Sequence, residues 1–240
     1  MKENIPKIIH YCWFGKWEKP AIVTKCINSW KVHLPDYQFI EWNEDNFDLH
    51  SHTYVSEAYQ ARKFAFVSDY VRAYALYHYG GIYLDTDVEV FKKFDDLLDH
   101  ESFWGFEQEN YIATSTIGAK KGNKLIELFL DSYQNKTFFN EDGSLNEVTN
   151  VAIISQILEK KSLKLNGEYQ NLAGNAFYPQ TYFSPYDYIN CRKFFSKDTY
   201  AIHHFYKSWL PLKARMKAKM KQLAARLIGG NNLARLRKIL

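Results

Sequence analysis

Short β-branched and aromatic runs alternate along this chain with longer stretches in which apolar residues recur every three or four positions. Lys7 to Phe14 predicts a strand, followed by a turn through Gly15 to Pro20. Ala21 to Val32 has helical spacing, Pro35-Asp36 marks a turn and Tyr37 to Trp42 predicts a second strand, with a polar loop from Asn43 to Asp48. Ser56 to Tyr79 predicts one helix, carried by Phe64, Val67, Val71, Tyr74, Ala75 and Tyr79 and stopped by Gly80-Gly81. Strands are expected at Ser102 to Phe106 and Tyr111 to Ala119, and helices at Asn123 to Tyr133 and Val148 to Lys160, with a loop at Glu141 to Ser144. The alternation of strand and helix predicts an α/β layer with a mainly parallel sheet, whose ligand crevice lies at the carboxyl ends of the strands.

Within Gly80 to Val90 two acids, Asp85 and Asp87, interrupt an apolar run. In regular strand geometry residues two apart leave the same face. Two carboxylates there can hold Mg²⁺ or Mn²⁺ while leaving coordination positions for a diphosphate; the plainer alternative is a strand end with surface acids. Asp69 and Arg72 are neighbours on the preceding helix. They form either an intrahelical ion pair or part of the same crevice, with Asp69 accepting from sugar hydroxyls and Arg72 offsetting phosphate charge.

The segment from Ala65 to Asp87, Ala-Phe-Val-Ser-Asp-Tyr-Val-Arg through Gly-Gly-Ile-Tyr-Leu-Asp-Thr-Asp, resembles the signature of sugar-nucleotide glycosyltransferases with the DXD motif, the family 32 enzymes. That family includes yeast initiating mannosyltransferases and bacterial capsule transferases, and is distantly similar to clostridial glucosylating toxins. Ile5 to Gly15 is similar to the family's first strand and loop, and Ala201 to Trp209 to its closing motif, so the resemblance spans residues 5 to 209. It implies a GT-A type nucleotide-sugar-binding domain over residues 1–209, with Asp69, Arg72, Asp85 and Asp87 as catalytic residues. It also implies a cation on Asp85, Asp87 and His203, and a donor contacted by His10, Trp13, Asp69, Arg72, Ser208 and Trp209. Trp13 would stack on the base, unless it is a core indole; His10, inside an apolar strand, has the same alternative. His204 is read as structural. The implied reaction is retaining transfer from a nucleotide diphosphate sugar, a UDP-sugar before a GDP-sugar, to a hydroxyl of a glycan or lipid-linked oligosaccharide. A front-face route needs no enzymic nucleophile; Glu107 and Glu109 are conceivable ones, with a solvated loop as the alternative. A metal-dependent nucleotide-sugar hydrolase or a non-catalytic binding module would be the competing classes.

Composition changes this picture at one end. The 240 residues, 46% hydrophobic and 17% aromatic, suffice for one sizeable core, and no apolar run of membrane-spanning length or signal peptide is evident. Cys12, Cys26 and Cys191 show no metal or disulfide spacing, which fits reduced thiols in a cytoplasm. Residues 207–240 hold ten Lys or Arg and no acid, leaving 21 basic against 27 acidic residues elsewhere. Leu212, Met216, Met220, Leu223 and Leu227 fall on one helical face before Gly229-Gly230. The segment 210–240 is therefore expected to be a basic amphipathic helix on the inner face of an anionic membrane, the alternatives being a helix docked on its own domain or nucleic-acid binding without a recognition motif.

Overall fold

A computed structural model of the chain describes residues 4–108 and 111–206, together with Lys213, Met216, Lys217, Met220, Lys221 and Leu223. Seven strands form one sheet: β1 (Ile8–Cys12), β2 (Gln38–Trp42), β3 (Gly81–Leu84), β5 (Ser102–Gln108), β6 (Tyr111–Ala119), β7 (Gln170–Leu172) and β8 (Asn175–Tyr178). Their spatial order is β2, β1, β3, β6, β5, β8, β7. The parallel pairings are β1 with β2, β1 with β3 and β5 with β8. β6 runs against both its neighbours and β7 against β8. The expected α/β class is found, with the parallel half at the N-terminal strands.

Period-two alternation divides the core between the two faces of the sheet. On β3, Ile82 and Leu84 join the face covered by α1 (Ala21–His33), where Val23, Ile27 and Trp30 are buried. Tyr83 turns to the opposite face, covered by α3 (Phe64–Tyr79), α4 (Lys124–Asp131) and α5 (Asn150–Lys160). Outside this sheet β9 (Tyr186–Asp187) pairs antiparallel with β10 (Arg192–Lys193), and a separate ribbon pairs β4 (Val88–Val90) antiparallel with β11 (Ala201–His203). Its register sets His203 opposite Val88, so a residue far along the chain returns beside the acids. The described residues contain no helix long and apolar enough to cross a membrane, and all three cysteines are free.

Two elements differ from expectation. The single helix from Ser56 to Tyr79 is broken into α2 (Thr53–Gln60) and α3. Arg62 takes a left-handed φ of 56°, with its N–H donating to the Tyr59 carbonyl and the Lys63 N–H to the Ala58 carbonyl. That hydrogen-bond pair is a Schellman ending built without glycine, which is why the composition does not announce it. The extended run through Gly80–Val90 is likewise interrupted: β3 stops at Leu84 and the Val88 N–H donates to the Asp85 carbonyl, closing a turn. Asp85 and Asp87 therefore meet through a turn and not through strand alternation.

Trp30 is fully buried and its indole N–H donates to the Val88 carbonyl at 2.7 Å, tying α1 to the strand that follows the acids. Trp30→Ala is expected to lower stability by about 3–5 kcal/mol through the lost contacts and the cavity. Urea unfolding measures this, and a loss below about 1 kcal/mol would mean that α1 repacks over the gap.

Candidate active site

The site is organised around a buried cation of the protein itself. Arg72, only 4% exposed, projects from α3 toward the end of β3. Its Nε donates to the Ser68 carbonyl, and Nη1 to the carbonyl and hydroxyl of Thr114 at 2.7 and 3.1 Å. Nη2 donates to Asp69 Oδ1 at 2.8 Å and lies 3.3 Å from Asp85 Oδ1. The guanidinium also sits 4.6 Å from the centre of the Tyr83 ring, whose hydroxyl donates to Asp85 Oδ1 at 3.1 Å. The intrahelical pair of Asp69 and Arg72 exists, and the same Nη2 reaches Asp85. Each guanidinium nitrogen is engaged within the protein.

Burial raises the Asp69 carboxyl to about 6 against the opposing pull of Arg72. For Arg72 burial acts the other way, but Asp85, Tyr83 and Asp69 outweigh it and hold the guanidinium firmly charged. Burial also drives the Tyr83 phenol well above its ordinary range, so it remains a donor to Asp85.

The second acid is fixed from the other direction. Asp87 Oδ2 accepts the Tyr206 N–H at 2.7 Å, its carbonyl accepts the His204 N–H, and Oδ1 lies 3.3 Å from His203 Nε2. Burial would raise the Asp87 carboxyl, yet His203 and the Tyr206 N–H hold it below the usual range. Burial would lower His203; Asp87 outweighs that, with Asp85 and Glu107 adding, and lifts it to about 9. One ligand atom from each of Asp85, Asp87 and His203 falls within 4.8 Å of the others. His203 Nδ1 is buried without a hydrogen-bond partner. Two carboxylate oxygens and an imidazole nitrogen at this spacing fit a divalent cation.

The remaining expected residues divide. His204 is structural, with its Nε2 2.9 Å from Glu89. His10 is fully buried, its Nε2 2.8 Å from the Gly80 carbonyl and its Nδ1 accepting from the Trp42 indole. Burial lowers its pKa to about 4. It is thus a core residue that ties β1 to β2 and to the start of β3, and the expectation that it contacts donor is corrected. Trp13 is partly exposed after β1, its N–H donating to the Trp17 carbonyl, and it lines a cleft of about 290 Å³ with Lys19 and Asn43. A neighbouring cleft of about 500 Å³ lies between Trp17, Tyr59 and Arg62. Glu107 lies within β5, not in a loop, and acts electrostatically on His203. Glu109, Ser208 and Trp209 lie outside the described residues. Sequence reasoning missed Thr114, Tyr83 and the Tyr206 N–H, none of which carries a local signal.

Residues 20–104 match the family described as "Glycosyltransferase sugar-binding region containing DXD motif". That match takes in Asp69, Arg72, Asp85 and Asp87. It is 32% identical over 112 residues to Inositol phosphoceramide mannosyltransferase 1 of Schizosaccharomyces pombe, covering 42% of this chain and 34% of that protein. It is also 32% identical over 108 residues to Mannosyl phosphorylinositol ceramide synthase CSH1 of Saccharomyces cerevisiae, covering 41% and 27%. The matched segment thus spans about a third or less of these relatives' length. Among solved structures, PaToxG Glycosyltransferase aligns with a TM-score of 0.48 at 20% identity, covering 66% of this chain and 70% of that one.

Removing the guanidinium would strand two carboxylates below the surface. Arg72→Met is expected to cost about 3–5 kcal/mol, and Arg72→Lys to recover only part, since an ammonium cannot reproduce the fork. Chemical denaturation decides; near-wild-type stability of Arg72→Met would show that Asp69 and Asp85 are held by other contacts.

Proposed function

We propose that this protein is a GT-A type glycosyltransferase that moves a sugar from a nucleotide diphosphate sugar to a hydroxyl of a glycan or lipid-linked oligosaccharide, with retention, in polysaccharide biosynthesis. The carrying observation is the convergence of Asp85, Asp87 and His203 within 4.8 Å of one another. Both acids lie in the segment that matches the DXD sugar-binding region. The donor is proposed to be a UDP-sugar. The fungal relatives have mannosyl transfer in their names, so a GDP-linked mannose is the first competing donor.

Breaking the anomeric C–O bond leaves negative charge on the diphosphate, and a Mn²⁺ or Mg²⁺ held by Asp85, Asp87 and His203 would supply the compensating positive charge. Arg72 and Tyr83 hold Asp85 in place, while the Tyr206 N–H and His203 hold Asp87. The position of the acids is thereby set before ligand arrives. Asp69 supplies a carboxylate for sugar hydroxyls, and Trp13 a partly exposed ring for the base. Retention is proposed to follow a front-face route, in which the leaving phosphate accepts the proton of the incoming hydroxyl, so that no carboxylate of the chain forms a covalent bond. The basic segment 210–240 is proposed to hold the enzyme on the cytoplasmic face of an anionic membrane, where a lipid-linked acceptor would be met.

A thermal-shift panel of nucleotide sugars that includes UDP-glucose, UDP-galactose and GDP-mannose, with and without Mn²⁺, tests the donor site. At about 100 times its dissociation constant the right donor should add about 2.7 kcal/mol to the wild type, and nothing to Asp85→Ala/Asp87→Ala. Absence of any shift in folded wild-type protein would overturn the donor reading. Release of free sugar at full rate without acceptor would make the protein a hydrolase instead.

A further inference from the structure

The described positions beyond residue 206 carry a pattern of exposure that the catalytic reading does not use. Lys213, Met216, Lys217, Met220, Lys221 and Leu223 are each helical. Met216, Met220 and Leu223 are 56%, 71% and 58% exposed, although each is apolar. Lys213 and Lys217 are exposed as well. Lys221, in contrast, touches the body of the protein: its Nζ donates to the Tyr188 carbonyl at 2.7 Å.

The angular arrangement of these positions decides what the exposure means. At roughly 100° per residue, positions 216, 220 and 223 lie within about 60° of one another on a helix. Position 221 lies about 100° to 160° away from them. The side that meets the body is therefore not the apolar side, which points outward. A helix docked by its apolar stripe, one alternative left open by the sequence, would show the reverse. Positions 213 and 217 fall between the two, so lysines border the apolar strip. Charge selects the occupant: residues 207–240 hold ten Lys or Arg and no acid. A second copy of this segment would repel such a face, whereas an anionic bilayer attracts the lysines and dissolves the methionines and leucine.

A chain of ring contacts leads from Tyr188, where Lys221 attaches, to His203. The Tyr188 ring lies 4.7 Å from the Phe205 ring, and the Phe205 ring 3.9 Å from that of His203. Phe205 sits in the 204–206 stretch whose backbone N–H groups hold Asp87.

We infer that Met216, Met220 and Leu223 form a lipid-inserting face bordered by Lys213 and Lys217, latched through Lys221 beside the Asp85–Asp87–His203 group, so that the site works on an acceptor displayed at an anionic bilayer surface. The link to sugar transfer rests on the function proposed above; the lipid contact is measured without it.

Flotation of the full chain with phosphatidylcholine vesicles, with and without phosphatidylglycerol, tests the inference against Met216→Ser/Met220→Ser/Leu223→Ser and, separately, Lys213→Glu/Lys217→Glu. The wild type should float with the anionic vesicles and not with the neutral ones, and each variant should bind about tenfold less or weaker still. The thermal shift given by UDP with Mn²⁺ should be the same in all three proteins. Failure of the wild type to float, equal flotation of the serine variant, or equal recovery with neutral vesicles would overturn the inference. Conversion of a dimer to a monomer by the serine substitutions, seen by light scattering, would assign the face to a second copy instead. Should no protein gain stability from UDP and Mn²⁺ while flotation behaves as expected, the donor reading fails and the lipid contact stands.

Discussion

The buried guanidinium of Arg72 is the interaction on which the site depends. It joins α3 to β6 through Thr114 and to the end of β3 through Asp85, so three elements are held in one register by a single side chain. A buried cation without partners would be prohibitively costly, and the same is true of Asp69 alone. Together the charges compensate, with Tyr83 as a floor under the guanidinium. The arrangement is specific because the fork is planar and its five donors point in set directions. Only a chain that folds with Ser68, Asp69, Thr114 and Asp85 around that fork avoids the desolvation cost.

Asp87 is secured by a different device. The antiparallel pairing of β4 with β11 brings residues 203–206 back across the turn, and they supply an imidazole and two backbone N–H groups. One acid is thus oriented from within the sheet and the other by a returning strand. A cation between them would bridge the two halves of this arrangement, so ligand binding and the seating of residues 203–206 would be coupled. Phe205 lies between His203 and Tyr188, the residue whose carbonyl accepts from Lys221.

Most elements were legible because their signals are local. Apolar periodicity located α1, α4, α5 and strands β1, β2, β5 and β6 to within about two residues. The Gly80-Gly81 stop after α3 was equally readable, because Gly80 and Gly81 have φ of 68° and 110°. The break at Arg62 was not, since a non-glycine residue adopts the left-handed conformation there. Strands β7 and β8 were missed because Gln170–Leu172 and Asn175–Tyr178 are short and gain their identity by pairing at the edge of an existing sheet.

The sequence by itself determined the α/β alternation, the acid pair preceded by Asp69 and Arg72 on one helical face, and the division between an acidic body and a basic end. These follow from periodicity, spacing and residue chemistry, which need no knowledge of what lies opposite. Only the tertiary structure decided that His10 is a core tie while Asp85 and Asp87 meet at a turn. Only it showed that every nitrogen of Arg72 is spoken for inside the protein, and that Met216, Met220 and Leu223 face outward. Each of these depends on which partner satisfies a buried polar group or covers an apolar one. The partners here, Trp42 for His10, Thr114 for Arg72 and Tyr206 for Asp87, come from elements separated by long stretches of chain.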